Sequence, residues 1–129
     1  MAEPTKPAVL VVDDERVIAW DLREMINAMG FDCYAVASSS EQALGAAAKR
    51  TPDLVLMDIR LNGPVDGVDT ARMLQEKYGV RVVFLSAHSH ADTLERAQGI
   101  RVSGWLTKPI RASVLRKTLE DALSKSKPG

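Results

Sequence analysis

Short apolar runs and longer periodic stretches alternate along this chain. Ala8–Val12 (AVLVV) is apolar at every position, the pattern of a strand covered on both faces. Ile18, Leu22, Met25 and Met29 then recur at helical spacing, and Gly30 supplies a stop. Phe31–Ala37 reads as a second strand. Ser38 with Glu41 has the form of a capping box, opening a helix through Leu44 and Ala48 that breaks at Thr51-Pro52. Asp53–Asp58 (DLVLMD) predicts a third strand, and Asn62, Gly63, Pro64 and Gly67 mark a loop. Ala71, Leu74 and Tyr78 predict a helix closed by Gly79. Val80–Leu85 is a fourth strand, Ala91–Gln98 a polar helix and Val102–Leu106 a short fifth strand. Leu115, Leu119 and Ala122 give a final amphipathic helix.

Five strands alternating with five helices predict βαβ units and an α/β fold. The expected architecture is a doubly wound five-stranded parallel sheet, order 2-1-3-4-5, with helices on both faces as a three-layer sandwich. Residues 8–124 form the single domain of this reading, with tails at 1–7 and 125–129.

Composition narrows the class. A chain of 129 residues has room for one core, and its 17 basic residues balance 17 acidic ones. That balance argues against direct contact with nucleic acid or an anionic membrane, which calls for a basic surplus. Cys33 has no partner for an internal disulfide, so a reducing compartment is expected. Met1–Pro7 lacks the apolar stretch of a leader, and no apolar run is long enough to span a bilayer. The expected location is the cytoplasm, with no membrane association.

In an open parallel sheet, ligands bind outside the carboxyl ends of the strands, where the winding reverses. The first strand ends in Asp13-Asp14-Glu15, the third in Asp58, the fourth in Ser86 and the fifth in Thr107-Lys108-Pro109. If the first and third strands are neighbours, three carboxylates converge in one crevice. Crowded carboxylates repel unless a cation sits among them, and hard oxygen donors suit Mg²⁺. Lys108 brings a second positive charge and Ser86 a hydroxyl. Such a set suits phosphoryl transfer: one carboxylate attacks phosphorus while metal and ammonium neutralise the transferring oxygens.

The motifs VLVVDDE (9–15), LVLMDIRL (54–61), VVFLSAH (82–88) and GWLTKPI (104–110) resemble those of response-regulator receiver domains, a CheY-like superfamily of two-component signalling. The resemblance covers about residues 8–124. It implies that Asp58 is the phospho-acceptor, that Asp13 and Asp14 bind magnesium, and that the backbone carbonyl of Arg60 is a further ligand beside Asp58 itself. Ser86 matches the hydroxyl that bonds the phosphoryl group, and Lys108 the family lysine, aimed by a cis Lys108-Pro109 bond. Trp105 matches the switch aromatic. Arg60 and His88 hold positions that modulate the hydrolytic water. The implied partners are a sensor histidine kinase or histidine phosphotransfer protein upstream and a protein or output domain downstream, the chain being a monomer or weak homodimer. The signal would leave through the face of the fourth and fifth helices and fifth strand. The chain departs from the common pattern in its loop, IRLNGPVDG, which is one residue longer and lacks a proline four residues past Asp58. It also has Trp where Tyr or Phe is usual.

Plainer roles stand beside these. Asp13, Asp14 and Asp58 could cap strand-to-helix turns, Lys108 could be a solvated surface residue, and Ser86 could cap its turn. Trp105 could fill the core. Trp20 lies off the first helical stripe and suits packing or partner contact. His88 and His90 have weak metal spacing, and Arg111, Arg116, Lys117 and Lys125 read as a solvated face. A haloacid-dehalogenase phosphatase would need a second Asp where Arg60 stands. A flavin-binding flavodoxin-like module would need a Ser/Thr/Gly-rich cradle where Asp13-Asp14-Glu15 stands. A pseudo-receiver would have shed the polar residues that this chain keeps.

Overall fold

The computed structural model describes residues 6–87 and 95–125. Five strands, β1 (Ala8–Val12), β2 (Asp32–Ala37), β3 (Leu54–Asp58), β4 (Arg81–Ser86) and β5 (Val102–Thr107), form one sheet. Its order is β2-β1-β3-β4-β5, with every neighbouring pair parallel. The expected doubly wound topology is therefore present. Four helices, not five, occur among the described residues: α1 (Arg16–Ala28), α2 (Ser40–Lys49), α3 (Gly67–Tyr78) and α4 (Ala112–Leu123). The helix expected at Ala91–Gln98 lies partly outside the described residues; within them, 95–96 are helical and 97–99 turn.

The unbroken apolar runs follow from the layering. Side chains alternate across a strand, so each central strand feeds two cores. Val9, Val11, Leu54, Leu56, Val83 and Leu85 meet Ala19, Leu22 and Ile26 of α1 and Leu115, Leu119 and Ala122 of α4. Leu10, Val12, Val55, Met57, Val82 and Phe84 meet Ala43 and Ala47 of α2 and Val68, Ala71 and Leu74 of α3. Ala97 and Ile100, in the segment before β5, join that second core. Polar side chains of α3 hold the same segment: Arg72 donates to the carbonyls of Arg96 (2.8 Å) and Gln98 (2.7 Å), and Gln75 to that of Arg101 (2.9 Å).

Two local expectations shift by one position. The buried stripe of α1 is Ala19, Leu22 and Ile26, with Ile18, Met25 and Met29 packed at its margins. The α2 cap is Ser39, whose hydroxyl accepts the N–H of Gln42, while the Gln42 side-chain Oε1 accepts the N–H of Ser38. Ser38 and Glu41 are not the capping pair, because burying Ala43 and Ala47 sets the helix one residue later. Among the described residues no helix is long and apolar enough to cross a membrane.

Candidate functional site

β1 lies between β2 and β3, so the winding reverses there and a crevice opens above the carboxyl ends of β1 and β3. Asp13, immediately after β1, is 1% exposed, and Asp58, the last residue of β3, is also buried. Asp14 is half-buried. Each of the three offers a carboxylate oxygen within 4.8 Å of the others. The sequence expectation that these groups meet is met by the fold.

Lys108 enters from the turn after β5. Its Nζ lies 3.0 Å from Asp13 Oδ2, 3.1 Å from Glu15 Oε1 and 3.3 Å from Asp58 Oδ2. The Lys108-Pro109 bond is cis, as the resemblance implied, and the Lys108 N–H donates to the Ser86 carbonyl at 2.8 Å. Lys108 is not a solvated surface residue; its side chain is 13% exposed.

Neither Asp13 nor Asp58 caps a helix: the N-cap of α1 is Glu15, without a side-chain bond, and that of α3 is Asp66. Asp13 Oδ1 accepts the N–H of Glu15 at 2.9 Å, and Asp58 Oδ1 accepts that of Arg60 at 3.2 Å. These bonds hold each carboxylate to its own strand exit. The Oδ2 atoms of both turn to Lys108. Asp14 Oδ2 accepts the N–H of Asn62 at 3.1 Å.

Burial, and then the charge of Asp13, push Asp58 from 3.8 up to about 7; Lys108 and the Arg60 N–H oppose that rise. Lys108 is itself pushed above its ordinary value: burial works against the charge, but contacts with Asp13, Glu15 and Asp58 outweigh it. One ammonium therefore leaves the anionic cluster under-compensated. Asp13 Oδ2 is buried without an aligned hydrogen-bond donor, although the ammonium is 3.0 Å away. A carboxylate oxygen in that position suits a cation, which makes no angular demand, so the three residues fit a hard divalent ion.

Ser86 is buried at the end of β4, one position past Leu85, which pairs with Asp58 in the parallel register. Trp105 is half-buried and lies tilted on Phe84 with ring centroids 5.3 Å apart, a core-filling contact in this state. Arg60 is exposed. His88 and His90 lie outside the described residues. Trp20 is exposed, with the Arg23 guanidinium 5.2 Å from its ring centroid.

Three participants escaped the sequence reading. Glu15 shares Lys108. The Asn62 N–H reaches Asp14. Gly67, read only as a loop marker, brings α3 against the end of β3: a Cβ there would sit 1.7 Å from the Asp58 carbonyl oxygen and 2.7 Å from its carbon. Its visible signal is a glycine in the first turn of a helix directly after a capping Asp66.

The family model of the response regulator receiver domain matches residues 9–120. The transcriptional regulatory protein PdtaR of Mycobacterium tuberculosis is 34% identical over 117 residues, covering 91% of this chain and 57% of that protein. The DNA-binding response regulator MtrA of Mycobacterium leprae is 36% identical over 109 residues, 83% of this chain and 47% of that one. The chain thus spans about half the length of these curated relatives. Among solved structures, the signal receiver domain of a modulated diguanylate cyclase from Desulfovibrio desulfuricans G20 superposes with a TM-score of 0.85 at 34% identity, covering 92% and 94% of the two chains. The PhyR receiver domain of Erythrobacter litoralis superposes at 0.84 with 29% identity, covering 97% and 96%.

Proposed function

The chain belongs to the response regulator receiver family of two-component signalling, and from that premise we propose that it is a phosphorylation switch whose acceptor is Asp58. The observation that carries the reading is the ammonium of Lys108 set 3.3 Å from Asp58 Oδ2 beside two further carboxylates. In this reading an Asp58 oxygen attacks the phosphorus of a phosphohistidine on a sensor kinase or phosphotransfer protein. The P–N bond breaks and the imidazole leaves. Asp58 must be ionised to attack, and with its pKa near 7 it is only partly so at neutral pH without a further cation.

Asp13, Asp14, Asp58 and the Arg60 carbonyl would hold Mg²⁺, which when bound supplies charge neutralisation at the transferring oxygens. Lys108 exchanges part of its contact with Asp13 and Asp58 for a phosphoryl oxygen, and the Ser86 hydroxyl donates to another. Trp105 then shifts toward the position Ser86 leaves, altering the face around β5 and α4 that a downstream protein or output domain reads. Such a change is a population shift, driven by contacts that differ between the two states. In the family the positions of Arg60 and His88 modulate the hydrolytic water, and here the pair would set the lifetime of the phosphoryl group; replacing both with small residues alters the dephosphorylation rate. Self-phosphorylation and autodephosphorylation are the only catalysis assigned. The proposed setting is cytoplasmic, with the chain a monomer or weak homodimer and without direct nucleic-acid contact of its own.

The test is to add Mg²⁺ with beryllofluoride or a small phosphodonor to wild type and Asp58→Asn. Tryptophan emission and mobility in a phosphate-affinity gel are followed. A Mg²⁺-dependent response confined to wild type supports the switch; identical behaviour of the two proteins refutes it.

A further inference from the structure

Asp14 is held differently from the other two carboxylates of the cluster. Asp13 and Asp58 each give one oxygen to an N–H two residues ahead and the other to Lys108. Asp14 Oδ2 takes its N–H from Asn62, 48 positions away. We propose that the Asn62 main-chain N–H is a positioning group for Asp14, so that the loop 59–67 orients this ligand and is itself tightened when a divalent cation binds. The proposal rests on the reading of the cluster as a magnesium site.

Asp14 is the least enclosed member of the cluster, and a half-buried aspartate can swing between rotamers. One directional donor narrows that choice. The bond is charge-assisted, and it leaves the second carboxylate oxygen available to a metal. The loop is built to hold the donor still. Ile59 and Leu61 are buried in the same core as Val68 of α3. Gly63 turns the chain back with φ +105°, a conformation that glycine adopts without strain. The Gly67 N–H donates to the Ile59 carbonyl at 2.9 Å and closes the loop, while Asp66 caps α3 through the Asp69 N–H. The 62 N–H is therefore fixed between a buried leucine and a glycine turn. Linkage makes the effect reciprocal: a loop that favours the binding rotamer of Asp14 is stabilised by the ion that selects it.

Asn62→Ala removes the side chain and keeps the N–H; Asn62→Pro removes the N–H as well. Calorimetric titration of the unphosphorylated proteins with MgCl₂ is expected to show Asn62→Pro binding ~3- to 10-fold more weakly than Asn62→Ala, the range for one hydrogen bond of ordinary net strength, as befits an exposed contact. Equal affinities overturn the proposal. Should proline prevent folding, as judged by circular dichroism, amide exchange decides the matter without that variant. The Asn62 N–H of metal-free wild type is expected to be protected, more so with Mg²⁺, and to lose protection in Asp14→Ala. An N–H unprotected in wild type, or indifferent to Asp14→Ala, overturns the proposal. A wild type that takes up no Mg²⁺ refutes the metal reading itself, while the exchange measurement still reports on the Asp14–Asn62 contact.

Discussion

Gly67→Ala is the smallest change that tests how Asp58 is positioned. Its new methyl would lie 1.7 Å from the Asp58 carbonyl oxygen, 2.7 Å from that carbonyl carbon and 2.9 Å from the Ile59 oxygen. All three are main-chain atoms, so no side chain can rotate aside. Either the first turn of α3 retreats or the end of β3 gives way, by more than an ångström. Overpacking in a close-packed interior costs about 1–3 kcal/mol, and this site belongs at the upper end because the obstacle is backbone. Alanine's better helix propensity offsets at most ~1 kcal/mol. A net loss of about 2 kcal/mol lowers the melting temperature of a domain this size by roughly 8 °C.

The functional effect should be larger than the loss of stability implies, since a misplacement of about 1 Å at a reacting group can cost ~100-fold in rate. Thermal unfolding by circular dichroism gives the first quantity, and the rate of phosphorylation by a small donor gives the second. Gly45→Ala is the matched control. Gly45 lies exposed within α2, and an added Cβ meets nothing within 4 Å. That variant should gain ~0.5–1 kcal/mol and melt a few degrees higher. If Gly67→Ala behaves like Gly45→Ala, α3 does not seat on Asp58 as described.

Other outcomes follow from the same contacts. In metal-free protein the pKa of Asp58 is raised by burial and by Asp13 from 3.8 to about 7, so the folded state binds this proton more tightly than the unfolded chain. Stability from this group therefore grows as pH falls from above 7 toward 4, and chemical denaturation at pH 8 and pH 6 should show the gain in wild type and a smaller one in Asp58→Asn. Cys33 is 3% exposed and burial pushes its thiol up to about 11, so a thiol reagent at pH 8 should label it no faster than the protein unfolds; rapid labelling of native protein would contradict the packing. Arg72→Leu strands the carbonyls of Arg96 and Gln98 and should destabilise by about 1–2 kcal/mol in urea, with the loss of amide protection concentrated around residues 95–101.

Much of this molecule was legible from side chains alone, for a specific reason. β1, β3 and β4 are covered on both faces, so AVLVV, DLVLMD and VVFLS are apolar without alternation, and the helices between them fix parallel pairing. Once the winding is known, residues at strand ends share one rim, and Asp13, Asp58 and Lys108 could be placed together although Asp13 and Lys108 stand at opposite ends of the fold's sequence. Degenerate local patterns were harder. Ser38–Glu41 and Ser39–Gln42 both satisfy the capping pattern, and only the burial of Ala43 and Ala47 selects the second.

What stayed hidden belongs mainly to the backbone. Any residue but proline at 62 would offer the N–H that Asp14 accepts, so the sequence hints at that contact only by lacking, at 62, the proline usual four residues past the aspartate. Glu15 is visible as a charge, but its reach to Lys108 depends on a turn whose direction only the fold supplies. Gly67 leaves a trace by what it lacks, yet a glycine beside Asn62, Gly63 and Pro64 is indistinguishable from a turn residue until the Asp58 carbonyl is found against it. The charged groups of the cluster must be particular side chains, whereas the groups that aim them can be peptide bonds. Substitutions chosen by side-chain chemistry alone would therefore probe Asp58 and Lys108 while leaving untouched the main-chain contacts that hold them in place.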